Sequence, residues 1–161
     1  RFGFIFQRAH LMTTLCLLDN IVLPGFLAGL RPRPEVTARG KELMERMGIA
    51  ELATSGVTEV SGGQLQRAGI CRALINDPGI VFADEPTGAL DLSSAALVLD
   101  WLRRLTEQGA TVVMVTHDVE AAAKADAVAV MSQGHLVQWT GCRDARQIAE
   151  LVHAARASRA A

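Results

Sequence analysis

Three short apolar runs constrain this chain more than anything else in it. They are Phe2-Gly3-Phe4-Ile5-Phe6, Ile80-Val81-Phe82-Ala83 and Thr111-Val112-Val113-Met114-Val115. Each has strand length and none alternates with polar residues. Continuous runs of this kind suit parallel strands buried on both faces. The intervals between them are helix-patterned. Residues 34–47 open at Pro34 and stop before Gly48, with proline just inside a helix and glycine just behind it. From Ser61, apolar residues recur at 65, 68, 70, 74 and 75 until Asn76-Asp77-Pro78-Gly79 halts the pattern. A third helix is predicted over residues 93–108, with Gly109 as its stop. Strands alternating with helices predict an α/β fold built on a mainly parallel sheet.

The other segments read less cleanly. Residues 10–60 are loosely helical, broken by Pro24, Pro32 and Pro34, with a polar loop over 54–59. After the third run, the pattern predicts a short helix over 118–124 and strands over 127–131 and 135–139. A hairpin turn at Ser132-Gln133-Gly134 joins the two strands. A last helix covers 144–157, and residues 154–161 are expected to fray.

Composition excludes several classes. The chain has 161 residues, one domain's worth. Its 16 basic and 17 acidic residues balance to −1, so there is no basic footprint for nucleic acid or a membrane face. Only 4% of residues are aromatic and none is Tyr, which argues against base-stacking platforms. Cys16, Cys71 and Cys142 are far apart and form no CxxC pair. That favours a reducing, cytosolic compartment over a disulfide framework or a zinc site. The apolar stretch 11–30 is interrupted by Asp19, Asn20, Pro24 and Gly25 and is not read as a membrane span. No secretory signal opens the chain. It opens at Arg1, inside a strand, and the expectation is that the domain has lost its beginning.

Each apolar run ends in polar residues suited to catalysis. The first ends at Gln7, the second at Asp84-Glu85, the third at Thr116-His117. In open α/β sheets, ligands sit beyond the carboxyl ends of strands. Asp84 is a candidate to hold Mg²⁺, directly or through water. Glu85 is a candidate to poise a water for attack on phosphate. The alternative for the pair is a solvated strand end or the cap of the next turn. Ser61-Gly62-Gly63-Gln64 has the spacing of a capping box. Capping leaves its two glycines unexplained, since each costs about 1 kcal/mol against Ala inside a helix. Glycines there let an anion approach the N–H groups, where the helix carries roughly half a positive charge. A capping box alone remains the alternative. His117 is suited to a terminal phosphate or the attacking water, or is simply a satisfied polar residue. Asp91 is either an N-cap or faces a partner subunit. His10, His135 and His153 read as surface or hairpin residues.

Together these residues resemble a known family. Val60-Ser61-Gly62-Gly63-Gln64 resembles the signature motif of ATP-binding cassette (ABC) ATPases. The stretch from Ile80 through Asp84-Glu85-Pro86-Thr87 is similar to their Walker B strand and catalytic glutamate. Ala89-Leu90-Asp91 is similar to the D-loop, His117 to the switch histidine and Gln7 to the Q-loop glutamine. The wording from Ala83 to Asp91 is similar to the branch serving lipoprotein release, macrolide export and antimicrobial-peptide export or resistance. The resemblance implies a P-loop NTPase-type sheet with a helical signature subdomain. It implies ATP and Mg²⁺, with two cassettes closed head to tail around two nucleotides. Ser61 and Gly63, within the motif completed by Gly62 and Gln64, then act on the nucleotide held by the other subunit. Asp84 holds Mg²⁺, Glu85 polarises water and His117 touches the γ-phosphate. Gln7 contacts Mg²⁺ or water and senses a transmembrane permease subunit. The implied location is cytoplasmic, on the inner face of the membrane and reaching it only through the permease. The implied division is a helical subdomain over 8–76, a catalytic core over 77–139 and a C-terminal helix and tail over 140–161. Residues 11–26 either help form the permease's docking groove or are an ordinary core helix.

One family motif is missing. The P-loop, GxxxxGK[ST], holds phosphates with backbone N–H groups and a lysine. The only lysines here, Lys41 and Lys124, do not stand in that pattern. The expectation is that the motif precedes Arg1, in roughly seventy further residues, and that the 161 residues alone are inactive. Two other readings stay open: a cassette ATPase outside transport, and a non-enzymatic truncated cassette that binds a permease or a partner ATPase.

Overall fold

A computed structural model describes residues 1–141 and 143–157. The expectations for Cys142 and for residues 158–161 lie outside these. The chain divides into two units, Arg1–Val115 and Thr116–Ala161.

In the first unit, β1 (Phe2–Ile5), β2 (Ile80–Asp84) and β3 (Thr111–Val115) form a parallel sheet in the order β1-β2-β3. The crossover from β1 to β2 carries α1 (Leu17–Ala28), α2 (Arg33–Arg46) and α3 (Gly62–Leu74). The crossover from β2 to β3 is α4 (Leu92–Glu107). The α/β reading therefore holds, with strand boundaries within a residue of those predicted. Burial on both faces does not hold. Ile5, Val81 and Ala83 join one buried cluster with residues of all four helices. On the opposite face Phe2, Phe4, Phe82, Val113 and Val115 are exposed. Phe4 stacks on Phe82 at 5.5 Å between ring centroids. Both faces are apolar, so the alternation of burial leaves no alternation in the sequence.

Pro24 does not break its helix as expected, because α1 runs through it. An internal proline costs about 3 kcal/mol through a lost hydrogen bond and a clash. Close packing offsets it. Leu17, Ile21, Val22 and Gly25 of α1 are buried, and a Cβ on Gly25 would stand 2.5 Å from Val36 Cγ1 on α2. Residues 11–26 thus divide, with most of α1 serving the core while Met12 is exposed; beyond this stretch, Leu27 and Leu30 are exposed too. Helix α2 has Pro34 in its first turn and Met47 as C-cap, followed by Gly48 at φ +62°. The polar loop over 54–59 contains the 3₁₀ turn Val57–Glu59, where the Glu59 carboxylate accepts from the Gly56 N–H at 2.7 Å.

In the second unit, α5 (Val119–Ala122) precedes β4 (Val128–Ser132), β5 (His135–Thr140) and α6 (Ala145–Ala157). β4 and β5 pair antiparallel. Gln133 and Gly134 turn between them with φ +49° and +79°, the positive pair that a two-residue hairpin requires. Helix α6 packs on α5 and β4, burying Ile148 and Ala155. Residues 154–157 form the last turn of α6. No helix among the described residues is long and apolar enough to cross a membrane.

Candidate functional site

Parallel pairing decides where the polar strand ends emerge. Ile5 lies opposite Ala83, and Asp84 opposite Val115. Gln7, two residues past β1, and Asp84-Glu85, at the end of β2, therefore leave the sheet at the same edge. Gln7 and Asp84 are exposed and Glu85 is half-buried. The chain turns sharply at Glu85, whose φ of +45° is left-handed. Such a conformation costs about 1–3 kcal/mol in a residue other than glycine and needs support from its surroundings. Support is present. The Glu85 N–H donates to the Val115 carbonyl at 2.9 Å, and its carbonyl accepts from the Gly88 N–H at 3.2 Å. Pro86 and Thr87 beneath the turn are buried. Strain held in place at a strand end facing solvent is a mark of a functional position.

The start of α3 is the second part of the site. Ser61 Oγ accepts from the Gln64 N–H at 3.3 Å, and Gln64 Oε1 accepts from the Ser61 N–H at 2.8 Å. The capping box is thus formed. It leaves the Gly62 and Gly63 N–H groups without an acceptor among the described residues. A Cβ on Gly62 would meet nothing within 4 Å, while one on Gly63 would touch Leu90 Cδ2 at 3.5 Å. An anion therefore has open space at Gly62, and the helix start lies against the loop leading to Asp91. Of the two readings of Asp91, the N-cap is the one formed here. Its carboxylate accepts from the Ser93 N–H at 3.0 Å and hydroxyl at 2.5 Å, and from the Ser94 N–H at 3.0 Å and hydroxyl at 2.8 Å. The Ser93 hydroxyl, then the Ser94 groups, hold its carboxyl well below the usual carboxylate range.

His117 belongs to the second unit, next to Thr116, whose hydroxyl accepts from the Asp118 N–H at 3.0 Å. Among the other histidines, His10 has φ +45° and meets the Phe6 ring edge-on at 6.3 Å.

Two residues that the motif reading did not single out hold the loop around Gln7. The buried Gln66 donates from Nε2 to the Phe6 carbonyl at 2.9 Å. Arg72 donates to the Ala9 and His10 carbonyls at 2.5 and 2.9 Å. Their signal in the sequence is slight: two polar residues six apart on α3, with Gly69 midway. Cys71, next to Arg72 on the same helix, has its thiol pushed up to about 12 by burial and is chemically quiet.

The donor set suits a magnesium nucleotide only in part. No group of three or more His, Cys, Asp or Glu residues able to hold a metal occurs among the described residues. Asp84 thus offers a single exposed carboxylate. That fits Mg²⁺, which keeps several waters and takes its other oxygens from phosphates. The open N–H groups of α3 fit a phosphate. The lysine and glycines of a P-loop are absent from these 161 residues.

Comparisons with known proteins show the family and the fold. The family model described as "ABC transporter" matches residues 1–88. The chain is 46% identical over 140 residues to the macrolide export ATP-binding/permease protein MacB of Neisseria meningitidis serogroup B, covering 87% of this chain and 22% of that protein. It is 41% identical over 146 residues to the protein of that name from Aggregatibacter actinomycetemcomitans, covering 91% and 22%. A solved dimeric ATP-binding cassette, in a post-hydrolysis state with ADP and Pi bound, matches with a TM-score of 0.82 at 32% identity. That match covers 89% of this chain and 64% of the solved one. The chain therefore spans about a fifth of the length of these curated relatives, and less than two thirds of the solved cassette.

Proposed function

The chain belongs to the ABC transporter family, and on that premise we propose that the protein containing it is the ATP-hydrolysing subunit of a membrane exporter. Its place is the branch that handles macrolides, lipoproteins or antimicrobial peptides. Residues 8–76 serve as the helical signature subdomain, 77–139 as the catalytic core and 140–161 as a C-terminal extension. The partners are a second cassette and a transmembrane permease. The location is the cytoplasmic face of the membrane, reached through the permease. An open groove of about 580 Å³ between α1 and α2, lined by Phe26, Arg33, Pro34, Thr37, Ala38 and Lys41, is available to such a partner.

The reaction reading rests on one observation above all: the register of β1 against β2, which delivers Gln7 and Asp84-Glu85 to one sheet edge. When bound, Mg-ATP supplies the phosphoanhydride to be cleaved and a cation that neutralises its charge. The Asp84 carboxylate holds the cation. The Glu85 carboxylate accepts a proton from a water and orients it. Gln7 donates or accepts at that water or at the cation's hydration shell. Ser61 and the Gly62 and Gly63 N–H groups donate to the phosphate bound by the other cassette, with Gln64 holding Ser61 in its cap. Asp91 shapes the loop that meets Gly63, and His117 hydrogen-bonds the terminal phosphate.

The test is Mg-ATP hydrolysis by the full-length protein with Glu85→Gln beside it. Removing a general base costs roughly 10²–10⁴ in rate, so the variant should lose at least about 100-fold while still binding nucleotide. An unchanged rate in Glu85→Gln would sink the assignment, as would a full-length protein with no hydrolysis above buffer. The 161 residues alone should show negligible hydrolysis, since they include no P-loop.

A further inference from the structure

Gln66, Gly69 and Arg72 stand three residues apart along one face of α3, and all three meet the loop that carries Gln7. Gln66 is 3% exposed and donates to the Phe6 carbonyl, immediately before Gln7. Arg72 spans two successive carbonyls, Ala9 and His10, just after it. Between them, a Cβ on Gly69 would stand 2.8 Å from Ala9 Cβ and 3.2 Å from Ala9 Cα. The loop can lie this close only over glycine. Its far end is fixed by a fourth residue. The Asn20 side chain accepts from the Met12 N–H at 2.7 Å and donates to the Met12 carbonyl at 3.0 Å.

The same helix begins at the Ser61-Gly62-Gly63-Gln64 cap, roughly 16 Å from Arg72 at 1.5 Å per residue. Nothing interrupts α3 between the two ends. We propose that Gln66, Gly69 and Arg72 form a clasp that makes the Gln7 loop and the start of α3 one moving part. A displacement imposed on the loop then reaches Ser61 and Gly63 through a rigid helix. The three are positioning residues and touch neither nucleotide nor cation. The clasp itself stands on geometry alone, while the meaning of its two ends rests on the function proposed above.

The chemistry of the clasp makes it separable from general stability. The Arg72 guanidinium is a planar fork that serves two carbonyls at once, and a lysine's single ammonium cannot reproduce that span. Arg72→Lys keeps the charge and most of the stem, so it is the mild variant. Gln66→Ala with Arg72→Lys is the stronger one. Val98→Ala, which opens the buried cluster under α4, serves as a control for destabilisation elsewhere.

Hydrogen–deuterium exchange on the full-length protein reads the result in peptides covering residues 6–12 and 61–65. Without nucleotide, Arg72→Lys should speed exchange in 6–12 by about tenfold, and Val98→Ala should not do so selectively. With Mg-ATP, the unaltered protein should slow exchange in both segments together, and Arg72→Lys in 61–65 alone. A loop that exchanges in Arg72→Lys and in the double variant as it does in the unaltered protein would overturn the clasp. So would a loop loosened equally by Val98→Ala. If Mg-ATP protects neither segment of the unaltered protein, the proposed function fails, and the nucleotide-free comparison still decides the clasp.

Discussion

The start of α3 lies against Leu90, just before the cap of α4, and the two helices begin differently. A neutral serine caps α3. Its hydroxyl accepts one N–H, and the Gly62 and Gly63 N–H groups remain open, with empty space at Gly62. A carboxylate caps α4, and four hydrogen bonds from Ser93 and Ser94 occupy it. Both helices present the same partial positive charge. At α4 the chain answers that charge with its own anion. At α3 it leaves the charge unanswered, which is what a site for someone else's anion needs. The lesson is that a good N-cap is not evidence against a binding site. What matters is whether the cap uses up the helix's donors.

The contrast breaks most visibly if α3 receives an anion of its own. Gly63→Asp places a carboxylate where the donors are open, and its Cβ meets only ordinary contact with Leu90. The fold should tolerate it, because acidic residues are favoured in a first helical turn. Mg-ATP hydrolysis by the full-length protein should fall by about 100-fold or more, with no loss in thermal midpoint. Ser93→Asp should do the reverse, lowering the midpoint by repelling Asp91 and leaving hydrolysis largely intact. Full activity in Gly63→Asp would mean that the open donors serve no phosphate.

A smaller effect separates the two caps as structural devices. Ser61→Ala removes one bond of 3.3 Å and should cost about 1 kcal/mol. Asp91→Ala removes acceptors for two N–H groups and two hydroxyls and should lower the thermal midpoint further. Asp91→Asn keeps a cap oxygen and should fall between the two. If Ser61→Ala proves the more damaging, then α3 depends on its cap for folding more than the geometry implies.

How much of this was readable in advance follows the range of the interactions. Strand and helix spans follow from local patterns, as at residues 111–115 and at the Ser61–Gln64 box. The roles expected of Asp84 and Glu85 follow from two carboxylates at the end of an apolar strand, yet the left-handed backbone at Glu85 depends on a bond to Val115, thirty residues on. Pro24 reads as a breaker because its local cost is visible, whereas the contact of Gly25 with Val36 that offsets it is not. The clasp was hidden for the same reason. Gln66 and Arg72 look like solvent-facing helix residues until β1 brings residues 6–10 beneath them. Exposure of Phe2, Phe4 and Phe82 on one sheet face was illegible because their buried neighbours are equally apolar.

The finest distinction between the two helix starts is their response to acid. Hydrogen bonds from Ser93, then Ser94, depress the Asp91 pKa in the folded chain below its unfolded value of about 3.9. A depressed carboxylate contributes stability that is complete above the unfolded value and is lost as pH falls through the folded one. The stability gap between the unaltered protein and Asp91→Asn should therefore stay level from about pH 8 to pH 5 and narrow below about pH 4. The carboxylate is exposed, so solvent keeps this effect the smallest of the set. Ser61 carries no ionisable group, and the gap to Ser61→Ala should show no such narrowing. Denaturant midpoints across that pH range decide it. A gap for Asp91→Asn that stays level down to pH 3 would mean that its four hydrogen bonds serve the neutral acid as well as the carboxylate. The α4 start would then be held by geometry alone, and the electrostatic half of the contrast with α3 would fall.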